Sequence, residues 1–150
     1  MASRKRRAAI RGVALLSVAT FATAAWSAEE DAGPRRLACT FQSGTSVSYD
    51  AGSFASKPAS PLSFTLDSID LEGQSAQLVA GQDAAPVTVR IVRAINANHF
   101  LEVVNEGFLN LTTIYDKDPK TGSYPAVHSR HFGLLGQPVF GQYTGFCKDQ

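Results

Sequence analysis

Leu62-Ser63-Phe64-Thr65-Leu66-Asp67 alternates apolar and polar residues without a break. A strand turns successive side chains to opposite faces, so this period of two predicts a half-buried β-strand with Leu62, Phe64 and Leu66 on its inner side. The same period recurs on either side of it. Upstream, Leu37, Cys39 and Phe41 alternate with Ala38 and Thr40, and Val47 and Tyr49 alternate with serines. Asp50-Ala51-Gly52 punctuates that run as a turn, and a loop carrying Pro58 and Pro61 leads back to Leu62. Downstream, Ala76 to Val79 and Val87 to Ile95 read as strands, with Val87, Val89 and Ile91 on one face and Thr88 and Arg90 on the other. Asn96-Ala97-Asn98 reads as a tight turn before His99 to Val104, where the β-branched Val103-Val104 pair favours strand over a short helix.

Leu109 to Tyr115 and Ser123 to His131 are two more strand segments, joined by residues 116–122 with Asp-Pro and Thr-Gly turn signals. Val139 to Cys147 closes the series, its Gly141 and Gly145 set among aromatics. Glycines between Phe132, Phe140, Tyr143 and Phe146 are expected to permit bends while the rings fill the core. The reading is all-β: one domain over 37–150, a small antiparallel barrel or sandwich of about seven or eight strands.

The residues ahead of this domain have a different character. Arg4, Lys5, Arg6, Arg7 and Arg11 precede an uncharged apolar run from Gly12 to Trp26. Small residues then offer A-x-A-like cleavage after Ala24, Ala25 or Ser27. This is the pattern of an export signal over 1–27, and the apolar run is shorter than the ~20 residues of a spanning helix. Ala9 stands where a twin-arginine signal has a bulky apolar residue, which favours the general secretory route. Residues 28–36, charged and interrupted by Gly33-Pro34, read as a flexible leader. The expected address is periplasmic or secreted, with no membrane span after cleavage.

Removing the signal reverses the charge. The whole chain carries 14 basic and 13 acidic residues, for a net +1. Five of the basic ones lie in 1–27, leaving nine against 13, a net −4. An acidic mature chain lacks the basic footprint of a general nucleic-acid binder. Cys39 and Cys147, the only two cysteines, stand 108 positions apart near the ends of the domain. In an oxidising compartment they are expected to pair, which requires the first and last strands to be neighbours. A redox or metal role would want a C-x-x-C spacing or nearby ligands, and neither is present.

The chemistry-bearing residues cluster in Tyr124-Pro125-Ala126-Val127-His128-Ser129-Arg130-His131. With Val127 taken as an inward marker, Val127, Ser129 and His131 share the inner face, and Tyr124, Ala126, His128 and Arg130 the outer one. The expected site is therefore an outward binding patch of Tyr124, His128 and Arg130, with His131 contributing from the second face. An aromatic ring, an imidazole and a guanidinium suit a carboxylate or phosphate, or an envelope protein presenting one. A zinc or copper site from His128, His131 and His99 is the sharper alternative, but residues three apart on a strand face opposite ways. Asp116-Lys117-Asp118 starts a calcium-loop pattern and does not complete it. Ser129 stands between two histidines with no G-x-S-x-G elbow anywhere, so neither a catalytic residue nor a cofactor is assigned.

Three stretches carry a resemblance: Leu111-Thr112-Thr113-Ile114-Tyr115, the segment from Tyr124 to His131, and Gln142-Tyr143-Thr144-Gly145-Phe146-Cys147. With Cys39-Thr40-Phe41, they resemble small exported proteins of alphaproteobacteria over most of the mature chain. The resemblance implies a periplasmic address and paired cysteines, and no activity. A looser, architectural likeness is to the periplasmic inhibitors of C-type lysozyme, small barrels with a cysteine near each end. It implies an envelope inhibitor acting on a cationic hydrolase, which suits a charge of −4. The S-G-S-G-A-R-Y stretch of that family is missing here, so no inhibitory residue carries over.

Overall fold

A computed structural model describes residues 33–104, 107–134 and 136–150. The expected export signal and residues 28–32 of the leader lie outside them. Nine strands run in chain order: β1 (Leu37–Asp50), β2 (Ser53–Pro58), β3 (Leu62–Asp70), β4 (Ser75–Val79) and β5 (Val87–Ala94). They continue as β6 (Ala97–Val104), β7 (Phe108–Tyr115), β8 (Tyr124–Leu134) and β9 (Gln137–Asp149). From β3 to β9 each strand pairs antiparallel with the next, and β9 returns to pair with β1, which also pairs with β3. Eight strands thus close a barrel, and β2 is an extra strand outside the ring.

β2 falls where the sequence reads as a loop. All six of its residues are exposed, so it carries no alternation to read. Its position comes from β1, whose length serves two partners on one side. Leu37 to Phe41 pair with β3, and Thr45 to Asp50 pair with β2. The hairpin between them turns through Ala51 and Gly52, both at positive φ (47° and 88°), the backbone twist that suits a two-residue connection.

The interior is filled by the period-two rows. Leu37, Cys39 and Phe41 of β1 meet Phe64 and Leu66 of β3 and Val89 and Ile91 of β5, all buried. An eight-stranded barrel is just wide enough for such side chains to fill its bore. Among the aromatics of the closing strand only Tyr143 joins this core. Phe140 and Phe146 stand on the opposite parity and face outward, Phe146 with 54% of its surface exposed. An odd number of positions separates each from Tyr143, and a pleated strand admits only one parity to the bore.

The ring closes where β1 meets β9. Cys39 and Cys147 are register partners in this pairing and form a disulfide with a Cα–Cα separation of 4.0 Å, fully inside the barrel. A register shift between Thr40 and Ser43 lets β1 bend there. Gly145 lies against that bend: a Cβ at this position would overlap the Thr40 carbonyl oxygen and approach the Phe41 Cα to 2.8 Å. Glycine is required here by close strand approach.

Residues 33–36, read as the end of a flexible leader, are tied to the barrel. The Arg35 carbonyl accepts from the Ile69 amide (3.0 Å), and Arg36 ion-pairs with Asp67 at 3.7 Å. Among the described residues no helix is long and apolar enough to cross a membrane.

Two outcomes check this seam. In urea denaturation of the oxidised protein, Cys39→Ala with Cys147→Ala should lower the unfolding free energy by about 4–5 kcal/mol, the loop-closure entropy of so long a loop. Gly145→Ala should cost about 1–3 kcal/mol through overpacking. Gly81→Ala, where a Cβ meets nothing within 4 Å, should be close to neutral in the same assay.

Candidate functional site at the open end of the barrel

β8 carries the residues expected to form an outward patch, and the structure turns them the other way. Ala126 and His128 are buried, and Tyr124 and Arg130, on the same parity, are half-buried. Tyr124, His128 and Arg130 therefore share a face, as their spacing requires, but it is the inner one. Val127 misled because bulk does not mark the bore on this wall. Ala126 is buried on the inward row, where it pairs with Gly145 of β9. Val127 lies on the outer wall between Thr113 and Thr144.

His128 is 3% exposed and enclosed by the rings of Phe41, Phe64 and Tyr143, with centroids 5.3–5.8 Å away. Its Nδ1 is hydrogen-bonded to the Thr112 hydroxyl at 2.9 Å. Burial, helped by the positive charge of Arg130, pushes its pKa from the ordinary 6.5 down to about 4. It is a neutral, packed imidazole near pH 7 and offers no surface contact. His131 is on the outer wall, stacked on Phe140 at an interplanar angle of 19°. His99, also outward, bonds Thr113 at 2.9 Å. The three histidines are thus held by separate partners, and among the described residues no group of three His, Cys, Asp or Glu converges as metal ligands.

Ser129 donates to Gln142 at 3.0 Å on the outer wall. In the loop after β7, Asp118 is occupied by its own turn: its carboxylate accepts from the Lys120 amide (2.9 Å) and the Thr121 hydroxyl (3.1 Å).

The concave site is at the barrel end where β1, β6 and β8 begin and β3, β5, β7 and β9 finish. A cavity of about 660 Å³ opens there. Leu37, Ile69, Phe100 and Ile114 make an apolar lining, and Arg93, Asn98, Asp116, Lys117, Tyr124 and Asp149 supply its polar groups. The inward rows explain this layout. Val89 and Ile91 are buried on β5, and Arg93 is the next position on that row, where the bore meets solvent. Tyr124 likewise ends the inward row of β8.

One side of the cavity is cross-braced. Lys117 ion-pairs with Asp149, the Tyr124 hydroxyl donates to the other oxygen of that carboxylate at 3.1 Å, and the Lys117 ammonium lies 5.4 Å from the Tyr124 ring centre. The Lys117 hydrogen bond, reinforced by Tyr124, holds Asp149 below the usual carboxylate range. Arg93 is exposed, and among the described residues no carboxylate pairs with it. Of the expected patch residues only Tyr124 lines this cavity, joined by Asp116 and Lys117 of the incomplete calcium-loop pattern. Arg93 was legible in principle, as a charge ending an apolar period-two row. Lys117 and Asp149 were not, since their meeting depends on the β8–β9 register, in which Tyr124 pairs with Cys147 and the end of β9 runs beside the β7–β8 loop.

In comparison with known proteins, no family model, no curated protein and no solved structure matches the chain.

The buried imidazole makes stability depend on pH with a definite sign. Unfolded, His128 takes up its proton near 6.5; folded, it resists until about 4. Between these values the unfolded chain binds more protons, so stability falls as pH drops and is fully retained above 6.5. The loss attributable to His128 amounts to roughly 3 kcal/mol. Urea titrations at pH 7 and pH 4 should show this loss in the wild type, and His128→Gln should lack that share of it.

Proposed function

We propose that the protein is an exported binding module that takes a small amphipathic molecule into the open end of its barrel. The observation that carries this reading is the cavity itself. It sets apolar and polar groups side by side in about equal measure, which suits an amphipathic ligand, at the mouth of a β-barrel, a usual place for a small-ligand site. The ligand's apolar part lies against Ile69, Phe100 and Ile114. Its head group is anionic and is gripped by Arg93, whose planar fork suits a carboxylate or phosphate. Lys117 and Tyr124 act as a braced wall, because Asp149 already engages both.

The periplasmic address belongs to the same proposal. It rests on the basic and apolar pattern of residues 1–27, and the disulfide is of the kind that persists in oxidising compartments. In this proposal the anion binds at the barrel mouth and not on β8. Tyr124 belongs to that site, and His128, Arg130 and His131 lie outside it.

Anilinonaphthalene sulfonate, an apolar ring system with one anionic group, is a suitable probe. Its fluorescence should rise saturably on binding the exported protein with one site per chain. Arg93→Ala should weaken that binding about tenfold, the scale of one charge-assisted hydrogen bond. Ile69→Glu should abolish it, while Val103→Glu on the outer wall should leave it unchanged. Binding that ignores Arg93 and Ile69 would refute the proposal.

A further inference from the structure

The inward rows also lead to the end of the barrel opposite the cavity. β8 starts at the cavity with Tyr124 and passes through Ala126 and His128 to Arg130 and Phe132, all on one parity. There β1 runs on past Phe41, its last partner on β3, and pairs with β2 instead. Register sets one inward row across β2, β1, β9, β8, β7 and β6: Lys57, Ser46, Gly141, Arg130, Asn110 and Glu102.

Arg130 is half-buried on this row, yet neither ion pair among the described residues, Arg36–Asp67 or Lys117–Asp149, involves it. The row's one carboxylate, Glu102, is engaged by the Asn110 amide at 2.7 Å, on the side of Arg130 away from Gly141. A guanidinium cannot shed its proton, so a charge withdrawn from water in this way calls for an anion. His128, the preceding inward position, supplies none: it is neutral, and Arg130 helps to keep it so. Gly141 shapes the space beside the guanidinium. The Tyr143 ring leans over it, so that a Cβ there would lie 3.0 Å from the ring and 3.4 Å from the hydroxyl oxygen. That hydroxyl therefore stands on the row between Arg130 and Ser46. Among the described residues no buried side-chain polar atom lacks a partner, so the Tyr143 hydroxyl, which bonds no protein group, reaches solvent. One inward position further from the cavity, Phe132 and Val139 are register partners, and their apolar surface strengthens charge interactions at the row.

We infer that Arg130, Tyr143 and Ser46 form a second site, at the end opposite the cavity, that binds a phosphate group. A tetrahedral oxyanion takes two parallel N–H bonds from the guanidinium along one edge and a hydroxyl bond on each remaining oxygen. Lys57, exposed at the end of the row, adds positive charge that draws the anion in. The site shares no residue with the cavity, and His128 with the rings of Phe41, Phe64 and Tyr143 fills the bore between them. The inference therefore stands apart from the ligand proposed for the cavity.

Two-dimensional amide NMR of the exported protein, titrated with inorganic phosphate at low ionic strength, tests it. The Gly141 and Phe132 amide signals should shift saturably, half-complete near about 1 mM, the scale of a few charge-assisted hydrogen bonds. Sodium chloride of equal ionic strength should not reproduce the shift. Arg130→Gln should weaken binding at least tenfold, and Tyr143→Phe, which keeps the ring, about threefold. Arg93→Ala, at the cavity, should leave it unchanged, so failure of one site is told from failure of the other. Thermal melts check that each variant is folded, and Arg130→Lys, which loses the planar fork, replaces Arg130→Gln if that is not. Glycerol 3-phosphate that moves the same signals supports the site and assigns it to an esterified phosphate; inorganic phosphate alone moving them supports it and assigns the free anion. No saturable shift up to about 20 mM phosphate overturns the inference, being weaker than any specific site of this kind. A folded Arg130 or Tyr143 variant that binds like the wild type overturns it as well.

Discussion

Every other feature of this molecule depends on the pairing of its first and last strands. Seven of the eight barrel strands follow one another as a meander, and each antiparallel step needs only a short local connection. The contact between β1 and β9 is of another kind, because it joins residues more than a hundred positions apart and carries the loop-closure cost of nearly the whole domain. Without it the meander is an open sheet with two exposed edges, its apolar row facing water. The Cys39–Cys147 disulfide lies on this pairing, inside the bore, where it restrains the unfolded chain at the most expensive contact. Gly145 lets the two strands approach at the bend of β1, and Tyr143 fills the space beyond it.

Closure also defines what is inside and what is outside, and so locates the chemistry. Once the bore exists, its middle is filled by Phe41, Leu66, Ile91 and their neighbours, with a neutral imidazole packed among aromatic rings. The cavity opens at one end of it. There the inward rows run out into polar residues, and the final residues of β9 come back beside the loop after β7. The Lys117–Asp149–Tyr124 brace is a product of that return. It stiffens one wall of a cavity that a β8-only patch would not have had.

The same parity rule that fills the bore leaves an apolar outer wall on β6 to β9. Val103, Leu109 and Phe146 do not belong to the core, and their alternation with inward residues is as regular as that of the core itself. A strand that is apolar on both faces reads in sequence as doubly buried. Here one of those faces is buried by the barrel, and the other, with Val103, Leu109 and Phe146, is exposed.

What the sequence determined by itself was local and periodic. The alternation in Leu62 to Asp67, the turn at Asp50 to Gly52 and the paired cysteines sufficed for an all-β fold of about eight strands closed by one disulfide. A period of two is a property of the backbone and survives any context. Which parity faces inward on a strand such as β8 is not local, because Val127 and His128 are both tolerable on either side in isolation. Tertiary structure decided it: Ala126 and His128 are the buried pair, His128 caged by the rings of Phe41, Phe64 and Tyr143, and Val127 faces out between Thr113 and Thr144. β2 was invisible for the converse reason, since an exposed strand has no buried row to write into the sequence. Only closure of the barrel, a contact between chain ends, could assemble Arg93, Lys117, Tyr124 and Asp149 around one cavity.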